Sequence, residues 1–297
     1  MLAVTEQSAV RSLFTGTKPG RALSTRFVAG ETLDDASAVA SELNAMGARV
    51  SLDHLGEHVA DVQQALGARD DYLEALERIS ADGLDANISV KLTQLGLGTD
   101  DDLALRSLRE LARRANEVGS SVTVDMEESR HTEATIQIFE AVQHDVGNLG
   151  IAVQAYLRRT RDDLDRIIPA GGHVRLCKGA YAEPESLAYQ SKDDVDASFD
   201  RLAAILMGSE NIYLAVASHD DARIAAARRL ATTRIAYHEY QMLYGVRTNL
   251  QRQMINEGLD VRVYVPYGTA WYPYLTRRIA ERPANLWFFM RAALSRG

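Results

Sequence analysis

Between Tyr274 and Glu281 four polar side chains, Tyr274, Arg277, Arg278 and Glu281, recur at i, i+3, i+4 and i+7, and on a helix that spacing makes one continuous stripe. Two adjacent guanidinium groups beside a phenol form a planar, multi-donor surface suited to a carboxylate or a phosphate. The same stripe reads equally as a solvated face on which Glu281 balances an arginine. Leu275 and Ile279 mark a separate apolar face, and Pro273 and Pro283 suit a first turn and a stop, so a short helix is expected there. Just upstream, Val261, Val263 and Val265 alternate with Arg262 and Tyr264 before Pro266 and Gly268, the period-two pattern of a strand.

Two other stretches carry candidate chemistry. Gly171–Tyr181, GGHVRLCKGAY, reads as a strand with Arg175 and Cys177 on one face and Val174, Leu176 and Lys178 on the other. Its two cations and the small Gly179-Ala180 step let a flat or phosphorylated ligand approach the backbone, or else the cations pair with Asp125 or Glu127. Ser218, His219 and Asp220 are consecutive, and neighbouring side chains at a strand end point apart, so they are not read as a hydrolase triad. A metal site built from His219 with Asp53, His54 or Asp125 remains an alternative, although no HxH follows the first strand and Lys91 is unaccompanied by obvious carboxylate ligands. His131, His144, His173 and His238 lack ligand spacing, and Cys177 is read as a small buried hydrophobe.

Composition narrows the class. The chain has 297 residues, 46% of them hydrophobic, with 33 basic against 41 acidic side chains and a net charge of −8. No basic block stands out, so nucleic acid is not an expected partner. One cysteine leaves no intramolecular disulfide or cysteine-based zinc cluster, which suits a reducing compartment. No apolar run reaches spanning length and the N-terminus lacks the build of a signal peptide. A cytoplasmic protein is expected. Leu286–Leu294, LWFFMRAAL, is read as a packed helix, with contact to a membrane surface as the alternative.

The elements that must position these residues follow a rhythm. A loosely helical pattern runs from Val4 to Phe27, and a helix capped by Thr32 or Asp34 ends at Gly47. Strand-like runs then occur at Arg49–Leu52, Asn87–Leu92, Ser121–Met126, Gly150–Tyr156, His173–Lys178, Ile212–Ala217, Arg234–Glu239 and Val261–Val265. Helical periods separate them. Eight such units predict an α/β fold, a distorted (β/α)8 TIM-type barrel with N-terminal helices. Residues 1–47 are expected to form a helical appendage and 48–297 the catalytic barrel. The strand ends then offer Asp53, His54, Lys91, Asp125, Glu127, Glu128, Gln154, Arg175, Lys178, Ser218, His219, Asp220, Glu239, Gln241 and Tyr264, a polar mouth that a purely structural barrel would not need.

These stretches, in order SVKLT (89–93), VTVDMEE (122–128), VQAYLRRT (153–160), VRLCKGAYAEP (174–184), ASHD (217–220), HEYQMLYGVR (238–247) and VRVYVPYGTAWYPYLTRRIAE (261–281), resemble the FAD-dependent proline dehydrogenases in their short, one-domain bacterial form. The resemblance implies oxidation of L-proline to Δ1-pyrroline-5-carboxylate, with electrons passing to a membrane quinone and a separate pyrroline-5-carboxylate dehydrogenase as pathway partner. It places the enzyme in the cytoplasm, with peripheral contact at the inner face of the membrane. It implies that Arg277 and Arg278 hold the carboxylate, with Lys91 nearby and Asp125 oriented toward it, and that Tyr264, Tyr274 and Leu243 line the ring pocket. Lys91, Asp125 and Tyr264 are thereby the catalytic candidates. Gln154, Arg175, Lys178, Gly179, Ala180, Tyr181, Lys192, Ser218, His219, Gln241 and Glu281 are implied to hold FAD. Two departures stand out: Ala182 replaces a tryptophan of the two-domain relatives, and Asp220 replaces a frequent asparagine, adding negative charge near the cofactor. A metal-dependent barrel hydrolase and a non-catalytic amino-acid sensor are the alternatives.

Overall fold

The computed structural model describes residues 26–56, 59–234, 236–271 and 274. Arg277, Arg278, Glu281, the 286–294 run and nearly all of the Val4–Phe27 pattern lie outside the described residues. Eight parallel strands close into a barrel in chain order: β1 (Arg49–His54), β2 (Ala86–Val90), β3 (Val122–Val124), β4 (Leu149–Gln154), β5 (His173–Cys177), β6 (Tyr213–Ala217), β7 (His238–Leu243) and β8 (Val261–Tyr267). Closure is direct, since β1 pairs with β2 on one side and β8 on the other. Helix α1 (Leu33–Ala45) precedes β1, and α2 (Val62–Ala81), α3 (Asp101–Glu117), α4 (Ser129–Asp145), α5 (Thr160–Ala170), α6 (Lys192–Met207), α7 (Asp221–Ala231) and α8 (Thr248–Asn256) connect successive strands. The expected (β/α)8 barrel is the observed fold.

Local chemistry explains the elements. Thr32 accepts from the Asp35 backbone N–H while Asp35 accepts from that of Thr32, a reciprocal cap that starts α1. Asp61, Asp100, Ser191 and Asp220 cap α2, α3, α6 and α7 with their side chains. Along the strands, Val50, Leu52, Ile88, Val90, Val122, Val124, Val174, Leu176, Val263 and Val265 are buried in one core with the helix faces. Ala36, Ala40 and Leu43 of α1 belong to that same core. The opposite parity points into the lumen, and there it is largely polar: Ser51, Asn87, Thr123, Arg175, Glu239, Gln241 and Arg262 bond across the barrel.

One strand differs from expectation. β7 spans His238–Leu243 rather than Arg234–Glu239. Arg234 instead donates to the carbonyls of Leu206, Met207 and Ile212, closing the carboxyl end of α6, where carbonyls lack helical partners. The shift moves Glu239 from the expected strand end to the lower lumen, 1% exposed and bonded to Arg262. An apolar-run criterion favours 234–239, but in this barrel two lumen-facing positions of the strand, Glu239 and Gln241, are polar.

Candidate active site

A cavity of about 770 Å³ opens at the carboxyl ends of the strands, within the size range of ligand sites. Lys91, Asp125, Gln154, Arg175, Lys178, Gly179, Ala180 and Tyr181 line it, as do Lys192, Ser218, His219, Gln241, Leu243, Tyr264 and Tyr274. Every described residue assigned to substrate or cofactor thus faces one space, whereas His54, Glu127, Glu128 and Glu239 of the expected strand ends do not line it. Asp53, Cys177 and Asp220 line it too.

At its centre lies a buried cluster of charges. Lys91 Nζ is 2.7 Å from Asp53 Oδ1 and 3.6 Å from Asp125 Oδ2, so carboxylates do accompany Lys91, as ion-pair partners. Asp125 accepts from Ser89 Oγ at 2.7 Å, from Arg175 Nη1, and from the Tyr264 hydroxyl at 2.8 Å. The Arg175 guanidinium carbon lies 5.2 Å from the centre of the Tyr264 ring. Burial opposes ionisation of Asp125, yet Arg175 and Lys91 hold its carboxyl below the ordinary range. Burial raises Asp53, Lys91 offsets this only in part, and the Asp125 charge adds to the rise. Two carboxylates around one ammonium are driven apart, so a proton is most readily held on Asp53. Burial and both carboxylates push the Tyr264 phenol well above its usual range, which keeps it a neutral donor. Sequence reasoning placed Asp53 at the barrel mouth and weighed it as a metal ligand but did not foresee its pairing with Lys91, because no motif marks it and its partner sits on the next strand.

A second face of the cavity carries the residues assigned to a cofactor. Gly179 has φ +117° and packs on Tyr156, whose ring a Cβ would meet at 2.1 Å, so only glycine fits this step. Glu183, on the same loop, accepts from the Ser129 N–H and hydroxyl, both at 2.6 Å, pinning the loop to the start of α4. Lys178 bonds to Asp196 and, at 2.8 Å, to Asp220. Lys192 sits exposed at the rim and reaches Asp196 at 2.5 Å. The charge of Asp220 is therefore met by Lys178, whose hydrogen bond lowers the carboxyl to about 2, and by the N–H groups of Ala222 and Arg223.

Ser218, His219 and Asp220 face separate partners. Ser218 Oγ accepts from the Asp220 N–H, and His219 Nε2 accepts from the Leu243 N–H at 2.9 Å, which leaves the ring proton on Nδ1. Burial raises the Cys177 thiol to about 11, so it is no ready nucleophile. Tyr274 packs with Phe27, Val28, Leu55 and Trp271, and Trp271 Nε1 donates to Glu31 at 3.1 Å. Among the described residues no group of three His, Cys, Asp or Glu side chains is gathered to hold a metal ion.

A closed (β/α)8 barrel with a buried ammonium, guanidinium and two carboxylates at the strand ends, opening into a long cleft, is the architecture of a barrel enzyme. A sequence model described as proline dehydrogenase matches residues 36–291. Proline dehydrogenase 1 of Bacillus subtilis subsp. natto is 39% identical over 274 residues, 91% of this chain and 90% of that protein. Proline dehydrogenase of Deinococcus radiodurans is 36% identical over 281 residues, 92% and 90% respectively. Among solved structures, proline utilization A (PutA) from Bdellovibrio bacteriovorus superposes with a TM-score of 0.82 at 24% identity, over 88% of this chain and 32% of that one. This chain belongs to the proline dehydrogenase family, and it is an enzyme that oxidises proline. No helix among the described residues is long and apolar enough to cross a membrane.

Proposed function

We propose that this enzyme binds FAD non-covalently in the cavity and converts L-proline to Δ1-pyrroline-5-carboxylate. The observation that carries this is the placing of a buried Lys91–Asp53–Asp125–Arg175 centre beside a cleft with cations at its rim. The donor set fits the cofactor: Gln154, Arg175, Lys178, Gly179, Ala180, Tyr181, Lys192, Ser218, His219 and Gln241, with Glu281 from the sequence pattern, would hold it. When bound, FAD supplies the two-electron acceptor for the hydride leaving the ring carbon next to nitrogen.

The chain's own residues do the rest. Arg277 and Arg278 take the carboxylate, while Tyr264, Tyr274 and Leu243 wall the ring. Free proline carries an ammonium, and its nitrogen must be neutral before hydride loss. Asp53, whose carboxyl is raised by burial, is the group that takes that proton, and the charges of Lys91 and Asp125 influence the transfer. Electrons then leave to a membrane quinone during peripheral contact at the inner face, and the product goes to a separate pyrroline-5-carboxylate dehydrogenase. Residues 1–47 are assigned to an N-terminal segment and 48–297 to the catalytic domain, with the Leu33–Ala45 helix packed over β1 and β8.

The test is a visible spectrum of the purified protein under anaerobic conditions. Flavin absorbance that bleaches on adding proline, from a flavin released by acid, is the expected result. A colourless protein, or proline binding without bleaching, would sink the proposal and favour a metal hydrolase or a sensor respectively.

A further inference from the structure

Below the cavity the lumen holds ions that the proposed chemistry does not use. A barrel interior of this size is ordinarily filled by branched aliphatic side chains. Here Glu239 and Arg262 lie side by side, 1% and 9% exposed, with Arg262 Nε donating to Glu239 Oε1 at 2.8 Å. Replacing such a pair by well-packed apolar side chains is often neutral or stabilising, so stability alone does not account for it.

The contacts of the pair lead upward. Gln241, two residues along β7 and on the same face, donates Nε2 to Glu239 Oε1 at 2.6 Å. Its Oε1 accepts from Arg175 Nε at 2.5 Å. A side-chain amide has one donating and one accepting end, and an ionised carboxylate only accepts. Glu239 therefore decides which end of Gln241 meets Arg175; a reversed amide would set two donors against each other. Burial works against ionisation of Glu239, but Arg262 keeps the carboxyl below its ordinary range. Arg262 is itself anchored by Val50 O at 2.9 Å and Asn87 Oδ1 at 3.3 Å. Arg175 is then held on several sides at once: Nε on Gln241, Nη1 on Ser89 Oγ at 2.9 Å and on Asp125, Nη2 on Ser51 Oγ at 3.3 Å.

We propose that Glu239, held by Arg262, is a positioning residue that acts through the Gln241 amide to lock the Arg175 guanidinium at the floor of the cavity. The inference rests on the flavin reading of that cavity. A cation fixed beside the ring system favours its reduced, more electron-rich form and needs no rearrangement during the reaction. The ion pair thus trades barrel stability for a constant electrostatic setting of the site.

The experiment compares wild-type holoenzyme with Gln241→Met, with the double variant Glu239→Leu/Arg262→Met, which leaves no unpaired ion, and with the triple combination. The readouts are the midpoint potential of the bound flavin, FAD content, kcat and KM for proline, and the melting temperature of each apoprotein. We expect the double variant to melt at or above wild type and to retain FAD. Its reduction equilibrium should weaken by roughly tenfold, a potential lower by about 30 mV for a two-electron couple. Its kcat should fall with proline KM little changed. In the Gln241→Met background the double change should add nothing further, because both act through one contact. A wild-type potential in Gln241→Met, or additive effects in the triple variant, overturns the inference even where the double variant is not recovered. A wild-type enzyme that carries no flavin overturns the reading of the site as well, whereas one reduced by proline beside unchanged variants overturns this inference alone.

Discussion

Lys91 is the residue on which the site turns, because it bridges Asp53 at 2.7 Å and Asp125 at 3.6 Å while the two carboxyls are driven to opposite sides of their ordinary range. If Asp53 is where the amine proton ends, Asp53→Asn keeps an acceptor for Lys91 but removes the proton store. The variant should lose on the order of 100-fold in kcat/KM for proline near neutral pH. With thiazolidine-4-carboxylate, whose ring amine is far less basic, most of that loss should vanish; an equal loss on both substrates would reduce Asp53 to a prop for Lys91. The arginine pair gives a second prediction. Arg277→Met or Arg278→Met should raise proline KM strongly and lower kcat less, a loss of about 2–5 kcal/mol in binding, and an unchanged KM would return that stripe to a solvated face. A third concerns Tyr264, whose ring stands in the cavity and whose hydroxyl is tied to Asp125. Tyr264→Ser should open space for a ring hydroxyl, moving the ratio of kcat/KM toward 4-hydroxyproline, since an apolar wall without steric contact rejects a hydroxyl by only about a hundredfold.

At the scale of elements, the helix before β1 was legible to within a few residues because caps and 3.6-residue periods are local signals, as the Thr32–Asp35 box shows. β7 was not, since its inward positions hold Glu239 and Gln241 where an apolar run was sought. The displaced Arg234 has its own consequence. It ties the end of α6 to the approach of β7 through the carbonyls of Leu206, Met207 and Ile212. Arg234→Met should cost about 2 kcal/mol, read as a lower urea midpoint with unchanged slope, and should leave proline KM unaltered. A variant as stable as wild type would mean that solvent serves those carbonyls equally well.

For the molecule as a whole, the polar lumen makes stability depend on pH. Burial is the main cause holding His173 at about 3, with Arg262 and Arg175 adding to it, and the ring packs against Gly150, where a Cβ would meet it at 1.8 Å. Its folded value lies below the unfolded one near 6.5, so between these the unfolded chain binds the extra proton and stability falls as pH falls. From pH 6.5 to 5 this amounts to about 2 kcal/mol. Asp125, Glu239 and Asp220, all lowered, act in the same sense only below their unfolded values, while Asp53, raised, acts in the opposite one. Urea titrations at pH 6.5 and 5 should show the loss in wild type and a much smaller one in His173→Gln; equal losses would place the acid sensitivity elsewhere.

By itself the sequence determined the barrel and the roster of polar groups at its mouth, since strand and helix periods, caps and turn residues act over a few positions and need no knowledge of the fold. Tertiary structure alone decided the partnerships. Lys91 meets Asp53 across 38 positions, Arg175 meets Asp125 across 50, and Tyr264 meets Asp125 across 139. Which side chains share a layer of the lumen depends on strand register and on closure of β8 against β1. The pairing that drives Asp53 and Asp125 apart exists only once burial has removed water from between them, and neither register nor burial is encoded at any single position.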